Sequence, residues 1–178
     1  FLENLLIRRL KTNNFKSCTT ACEGQFLLHR IFKNVYVMDN RPLIEDFITD
    51  RTNETKEKRK AIYVGMVTEE NRQMLKTLRC FSILMQSGKF KCSVIGAVAN
   101  RKKKTEIESE IHRLSIQHPI DFEYVGATCH EKAVVEMRKS DFGFNLISLP
   151  NTQQISPNKN FEYIASKTVL VTDHDNFP

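Results

Sequence analysis

The residues most able to do chemistry stand together near the end of the chain, between Ser156 and Glu162. Ser156 followed by Pro157 predicts the start of a helix, because serine is a good N-cap and proline suits the first helical position. The free N–H groups and positive dipole end of such a helix attract phosphate, and Lys159 adds a cation in the first turn. Glu162 follows Lys159 by three residues and therefore shares its side of the helix. An anion site beside a hydroxyl acceptor suits a phosphorylated ribose.

The same residues also fit a structural interpretation. A serine-proline pair before a helix is common, and a helical glutamate beside a lysine is usually a solvated surface pair. The elements around this segment must decide between the two interpretations.

Short β-rich runs alternate with helical patterns from residue 61 onward. The predicted strands cover 61–65, 91–96, 121–126, 141–147 and 168–172. The first predicted helix covers 69–86, and the next two begin at the capping boxes Thr105 with Glu108 and Thr128 with Glu131. The fourth begins at Ser156. Five strands separated by four helices predict an α/β domain with a doubly wound, Rossmann-like parallel sheet.

Three of the predicted strands end in glycine, at Gly65, Gly96 and Gly126. Ligands of such sheets bind beyond the carboxyl ends of the strands, where a missing Cβ lets the backbone approach a ligand. Turn chemistry is the alternative for each glycine taken alone. Because all three glycines stand at the carboxyl ends of predicted strands, they favour a binding cleft at that edge of the sheet.

The composition narrows the classes of protein. No apolar run approaches the roughly 20 residues that cross a bilayer, and the start of the chain lacks the pattern of a signal peptide, so we expect a soluble protein. The five cysteines are odd in number and form no CxxC pair, which argues against a zinc site or a disulfide scaffold and favours the reduced cytosol. The net charge of +6 indicates anionic partners: nucleotide, nucleic acid or membrane headgroups. The basic run 101–104 carries no aromatic residues, and we interpret it as a solvated loop rather than a nucleic-acid patch.

The first fifty residues differ from the rest. Helical patterns cover 1–10 and 23–32, and predicted strands cover 15–21 and 34–38, before a turn at residues 40–42. Residues 51–60 hold no apolar side chain and are predicted to be a linker or an exposed loop. We therefore expect three parts: 1–50, the linker 51–60, and the domain 61–178.

The order of these motifs resembles the C-terminal, donor-binding half of GT-B glycosyltransferases, specifically the retaining group called family 4. The resemblance is carried by the strands 63–65, 94–96 and 122–126, by the Ser-Asp-Phe-Gly of residues 140–143, and by the segment 156–171. Residues 19–24 and 35–42 resemble the end of the N-terminal, acceptor-binding half of this family. The resemblance thus covers nearly the whole chain, with the acceptor half mostly missing and the C-terminal end truncated.

The resemblance implies an enzyme that moves a sugar, with retention, from a nucleotide-diphosphate donor to an acceptor hydroxyl. The site it implies consists of Gly65, Arg72, Gly126, Ala127, Gln154, Ser156, Lys159 and Glu162. In it, Ser156 and Lys159 hold the diphosphate, Glu162 holds the ribose, and the backbone of Gly126 and Ala127 lines the base pocket. Arg72 is either a second cation for the diphosphate or a solvated helix residue. GT-B enzymes generally use no metal, so Asp173-His174-Asp175 is interpreted as a loop.

The chain departs from the family in two places. Gln154 stands where the family commonly has an acidic residue near the donor sugar. Met66 and Asn71 stand where many members place an arginine and a lysine for the diphosphate. No catalytic base is assigned, because acceptor-side residues would lie in the missing half.

The partners implied are a nucleotide-sugar donor and an acceptor that is a glycan, a lipid-linked sugar or a small molecule, as in polysaccharide biosynthesis. Nucleic acid is not expected. We expect a cytoplasmic location, with peripheral association at the inner face of the membrane left open. This fragment alone is expected to transfer little. Two alternatives remain: an epimerase-like GT-B enzyme acting on nucleotide sugars, and a non-catalytic nucleotide-binding or interaction module.

Overall fold

A computed structural model of the chain describes residues 17–20, 34–37, 57–70, 72–147 and 158–173. Two short strands precede the main sheet. β1 (Ser17–Thr20) and β2 (Asn34–Val37) pair in parallel. These strands confirm the two that the sequence predicts in the first fifty residues, whereas the predicted helices 1–10 and 23–32 lie outside the described residues.

Five parallel strands and four helices alternate in the described residues from 59 to 173. The strands are β3 (Arg59–Val64), β4 (Phe90–Ile95), β5 (Phe122–Gly126), β6 (Phe142–Phe144) and β7 (Val169–Val171). The helices are α1 (Met74–Gln86), α2 (Lys104–Gln117), α3 (His130–Arg138) and α4 (Asn158–Ala165). The first two residues of β3, Arg59 and Lys60, belong to the stretch 51–60 that is predicted to be a linker or an exposed loop.

The strand order of this sheet is β5-β4-β3-β6-β7. The chain starts in the middle at β3, moves outward to β4 and β5, and then returns to the other side of β3 for β6 and β7. This is the doubly wound, Rossmann-like order that the alternation of elements predicts. The order reverses between β3 and β6, and in sheets of this kind the reversal point is where ligands bind.

The core consists of two apolar layers, one on each face of the sheet. Alternate residues of β3 serve different layers, since Ala61 and Tyr63 pack in the layer that contains α1 and α2, and Ile62 and Val64 pack in the layer of α3 and α4. All four of these β3 side chains are buried. Burial on both faces explains why this strand is a continuous apolar run rather than an alternating one.

Three helix starts differ from the sequence prediction. α1 begins at Met74, not at residue 69, because the preceding residues form a loop that ends with Gln73 in a left-handed conformation. α2 is preceded by Lys103, also left-handed, and α3 by Cys129, and neither residue makes a side-chain cap hydrogen bond. The capping boxes predicted at Thr105 and Thr128 are therefore wrong. Thr105 lies inside α2, and Thr128 lies one residue before the cap of α3.

None of the helices in the described part of the chain combines the length and the apolar composition that a membrane span requires. Cys80, Cys92 and Cys129 carry free thiols. Burial, and secondarily the charge of Asp121, raises the pKa of the Cys92 thiol to about 12, so this cysteine is a packing residue rather than a nucleophile.

Candidate functional site

The strands β3 and β6 separate at their carboxyl ends. They pair only at Ala61 with Phe142 and at Ile62 with Gly143. Beyond that point the Tyr163 hydroxyl lies between them, accepting a hydrogen bond of 2.8 Å from the Val64 N–H and donating to the Phe144 carbonyl at 3.4 Å. A side chain of α4 thus satisfies the backbone groups that the diverging strands leave unpaired.

Tyr163 reaches this position because position 143 is a glycine. Tyr163 is fully buried, and a Cβ built on Gly143 would lie 2.3 Å from its ring. Strand β6 is therefore too crowded for any side chain at that position. The close fit fixes α4 against the point where the strand order reverses.

The loop after β3 is held by contacts at several points. The Tyr63 hydroxyl donates to the Met66 carbonyl at 2.6 Å, and Val67 forms a parallel bridge with Val98 in the neighbouring loop. The Glu69 carboxylate accepts a hydrogen bond of 2.8 Å from the Leu75 N–H in the first turn of α1. This loop carries Arg72 to the edge of the sheet.

Arg72 is joined to β6 and α4 through two buried asparagines. Its Nη1 donates to Asn145 Oδ1 at 3.4 Å, and Asn145 Nδ2 donates to Asn160 Oδ1 at 2.5 Å. Asn145 directly follows β6, and its backbone N–H donates to the Val171 carbonyl. These two hydrogen bonds, which link Arg72, Asn145 and Asn160, therefore span the point where the strand order reverses.

Burial shifts the pKa of both tyrosines at this edge of the sheet. Burial raises the pKa of Tyr163 well above its ordinary value, the hydrogen bond from Val64 lowers it, and the charge of Glu162 raises it while that of Arg72 lowers it. Burial likewise raises the pKa of Tyr63 to about 12, against the charge of Arg72. Both phenols are neutral at physiological pH.

Lys159 and Glu162 share one side of α4, as their spacing predicts, and their side chains bind each other. Lys159 Nζ lies 2.5 Å from Glu162 Oε2, with the side chains 24% and 11% exposed. Helix α4 begins at Asn158, close to the predicted start. Ser156, Pro157 and Gln154 lie outside the described residues, as does Asn71.

The strand-ending glycines have different surroundings. A Cβ on Gly96, whose φ is +147°, would lie 1.7 Å from the Gly65 carbonyl oxygen, so the close approach there is to protein backbone. A Cβ on Gly126, at a left-handed φ of +73°, would meet no atom within 4 Å. Packing explains Gly96, whereas the open space beside Gly126 remains compatible with an approaching ligand.

Ala127 lines a cleft of about 500 Å³ between α2 and the carboxyl ends of β4 and β5. His112 and Tyr124 also line this cleft, and the Tyr124 hydroxyl donates to the Gly96 carbonyl at 3.0 Å. Within the described residues, Ala127 takes no part in the contacts that join Arg72, Asn145 and Asn160.

Asp173 holds the surrounding loops together. Its carboxylate accepts hydrogen bonds from Gln73 Nε2 at 2.6 Å, Lys76 Nζ at 2.9 Å and the Ile147 N–H at 3.1 Å. It thereby links the loop after β7 to the start of α1 and to the loop after β6. No group of three or more metal-ligating side chains occurs in the part of the chain that the structure describes.

Sequence reasoning missed Asn145, Asn160 and Tyr163. Asn145 lies inside the strand predicted over 141–147, whereas β6 ends at Phe144. A polar residue among the apolar residues of that predicted strand is the signal that could have identified it. Asn160 carries no such signal, since an asparagine in the first turn of a helix is usually solvated.

The fold is similar to that of several solved structures. The E. coli trehalose-6-phosphate protein bound with UDP-2-fluoro glucose matches with a TM-score of 0.68 and 12% identity, over 95% of this chain and 48% of that one. An α,α-trehalose-phosphate synthase (UDP-forming) from Burkholderia vietnamiensis matches with a TM-score of 0.67 and 10% identity, over 95% and 49%. HepE from Anabaena in complex with UDP matches with a TM-score of 0.64 and 12% identity, over 97% and 50%.

These similar structures are GT-B glycosyltransferases, and at such low identity the shared feature is the fold. They confirm the Rossmann-like GT-B architecture that the sequence predicts. The chain spans about half the length of each of them. None of the known protein-family models matches the sequence, and neither does any curated protein.

Proposed function

We propose that this chain is the nucleotide-sugar donor-binding half of a retaining GT-B glycosyltransferase of the family 4 type. The observation that carries the proposal is the position of Arg72 and Glu162 at the point where the strand order reverses. Arg72 Nη1 donates to Asn145 Oδ1 directly after β6, and Glu162 stands on α4 beside Tyr163, whose hydroxyl lies between β3 and β6. A cation and a carboxylate at that edge match the diphosphate and the ribose of a nucleotide sugar.

The roles in this proposal follow the charge that develops during transfer. As the bond between the sugar and the diphosphate breaks, negative charge builds up on the leaving diphosphate. Arg72, Lys159 and the backbone N–H groups around Ser156 would stabilise that charge. Gln154 would contact the donor sugar, and Glu162 would accept hydrogen bonds from the ribose hydroxyls.

Gly65, Gly126 and Ala127 complete the proposed site. Gly65 would let the backbone approach the phosphates, and the backbone of Gly126 and Ala127 would contact the base. The open space beside Gly126 supports this role. We take UDP as the first nucleotide to test, because UDP or a UDP-sugar is bound in two of the similar structures.

The ion pair between Lys159 and Glu162 sets a condition on binding. Lys159 must leave Glu162 to reach a diphosphate, and Glu162 is then free to accept from a ribose. Binding would therefore replace the ion pair between Lys159 and Glu162 by two contacts, one of Lys159 with the diphosphate and one of Glu162 with the ribose. Nucleotide binding should therefore weaken as the salt concentration rises.

Isothermal titration calorimetry of the 178-residue chain with UDP-, GDP- and ADP-glucose tests the proposal. We expect binding of one base class, and weaker binding at higher salt. Absence of binding by all three nucleotide sugars would overturn the proposal. Transfer itself needs the acceptor half, so activity should be assayed in a longer chain that includes it, with a glycan, a lipid-linked sugar or a small molecule as acceptor.

A non-catalytic nucleotide-binding module is the second candidate. It is favoured by Met66, which is 56% exposed and uncharged where the family often has a diphosphate-binding cation. Binding without transfer or hydrolysis by the longer chain would support this module over the enzyme. A cytoplasmic location, with or without peripheral membrane association, belongs to both proposals.

A further inference from the structure

Two asparagines behind the candidate site are buried in an unusual way. Asn160 is 0% exposed and Asn145 is 3% exposed. Buried amides are normally fully hydrogen-bonded, yet Asn160 Nδ2 has no partner among the described residues. A leucine at position 160 would avoid that unmet donor. The leucine would, however, leave Asn145 Nδ2 without its acceptor. The asparagine at position 160 is therefore explained by its contact with Asn145.

The hydrogen bond between the two amides couples their orientations, and the contact with Arg72 selects one of the two arrangements. A side-chain amide has an accepting oxygen and a donating nitrogen that can exchange places by a flip. When the Asn145 oxygen faces Arg72, the Asn145 nitrogen must face Asn160. There Nδ2 donates a hydrogen bond of 2.5 Å to Asn160 Oδ1. Without that acceptor, the flipped amide would direct N–H groups at the Arg72 guanidinium, which has only donors itself.

A neutral acceptor suits a cation that must bind an anion. An aspartate at position 145 would hold Arg72 more strongly, but it would also neutralise the guanidinium. The Asn145 oxygen orients Arg72 and leaves its positive charge available. The hydrogen bond of 3.4 Å occupies one nitrogen, Nη1.

We propose that Asn145 is a positioning residue that orients Arg72 toward the donor diphosphate, and that Asn160 acts by fixing the amide of Asn145. This inference rests on the proposed function. It assigns the two asparagines to the diphosphate part of the site, and it predicts no role for them in binding the base or the ribose.

The test compares UDP with uridine, which lacks the phosphates. Amide chemical-shift titrations of the 178-residue chain give the affinity of the wild type, Asn145→Leu, Asn160→Leu, Arg72→Ala and the double variant Arg72→Ala with Asn145→Leu. We expect Asn145→Leu to weaken UDP binding about tenfold and to leave uridine binding unchanged. In the Arg72→Ala background, Asn145→Leu should cause no further loss, because the residue it positions is gone.

Asn160→Leu is the second, independent variant. It keeps Asn145 and removes the polar group that fixes it, so it should produce the same selective loss of UDP affinity. It serves as the test if Asn145→Leu does not fold, which thermal unfolding followed by circular dichroism will show.

The outcomes separate this inference from the proposed function. If the wild type binds none of UDP, GDP and ADP, both are overturned. If it binds GDP or ADP instead of UDP, the same variants are compared with that nucleoside diphosphate and its nucleoside. If the wild type binds UDP and the two leucine variants bind it equally well, only the positioning role is overturned. It is also overturned if UDP and uridine affinities fall together, or if the losses of Arg72→Ala and Asn145→Leu simply add.

Discussion

The ring of Tyr163 occupies the space that a side chain at position 143 would need. A Cβ on Gly143 would lie 2.3 Å from Cδ1 and 2.5 Å from Cγ of that ring. The same tyrosine places its hydroxyl between Val64 and Phe144. One contact between a glycine and an aromatic ring thus determines how α4 meets the carboxyl ends of β3 and β6.

Gly143→Ala should destabilise the fold by about 1–3 kcal/mol, the usual cost of overpacking a core. Urea denaturation of the purified chain measures the change. The matched control is the same substitution in a Tyr163→Ala background, where the ring is absent and the added methyl group has room. Equal costs in the two backgrounds would show that the clash with the ring is not the cause.

Tyr163→Phe removes the hydroxyl and keeps the ring. The Val64 N–H then loses its acceptor in a buried position, which costs about 1–3 kcal/mol. Hydrogen exchange at the Val64 amide should become faster than in the wild type. Tyr124→Phe is the control, since the Tyr124 hydroxyl makes an exposed hydrogen bond and its loss should cost little. An unchanged exchange rate at Val64 would contradict the bridging role.

The sequence predicts the order of elements well, because a buried parallel strand is a continuous apolar run and the helices between the strands show apolar residues at helical spacing. It predicts helix starts poorly here. The expected caps at Thr105 and Thr128 follow local rules, whereas the actual starts follow Lys103 and Cys129, where loop geometry decides.

In the candidate site too, local spacing predicts some contacts and not others. Lys159 and Glu162 are neighbours on one helix, so their pairing follows from spacing alone. The contact between Arg72 and Asn145 joins residues 73 positions apart, and no local pattern indicates it. Tyr163 is visible in the sequence only as one apolar position of a helix, and its role depends on how far β3 and β6 diverge.

Asp173 should make stability depend on pH. Burial raises its pKa, but hydrogen bonds from Lys76, the Ile147 N–H and Gln73 together hold the pKa below the ordinary value. A carboxyl whose pKa is lower in the folded state stabilises the fold above its unfolded pKa of about 3.9, and this contribution is lost as the pH falls through the folded value.

Asp173→Asn should therefore reduce stability at pH 7 by about 1 kcal/mol, a modest value because the ion pair is partly solvated. The difference between variant and wild type should shrink as the pH falls below about 4. Urea denaturation between pH 7 and pH 3 measures it. Lys76→Met should reproduce part of the effect, and a difference that stays constant with pH would contradict the charge argument.

Glu162→Ala should weaken UDP binding by about 1.5–3 kcal/mol, the scale of a hydrogen bond to a charged group. Calorimetry measures the loss. Lys159→Met is the control, because it also breaks the ion pair but leaves the carboxylate free for the ribose. If Glu162 serves only as the partner of Lys159, the two variants will lose equal stability and neither will lose affinity for uridine. If it binds ribose, Glu162→Ala alone will lose uridine affinity.

Gly96→Ala and Gly126→Ala separate turn chemistry from ligand contact. A Cβ at position 96 would overlap the Gly65 carbonyl oxygen, so we expect Gly96→Ala to lose most of its folded stability. Position 126 has open space, and alanine there costs only about 1–2 kcal/mol for the left-handed conformation. If the backbone of Gly126 contacts the base, its alanine variant should stay folded and lose affinity for UDP and uridine alike, because both share that base. A folded Gly126→Ala with wild-type affinity for both would assign this glycine to the turn alone.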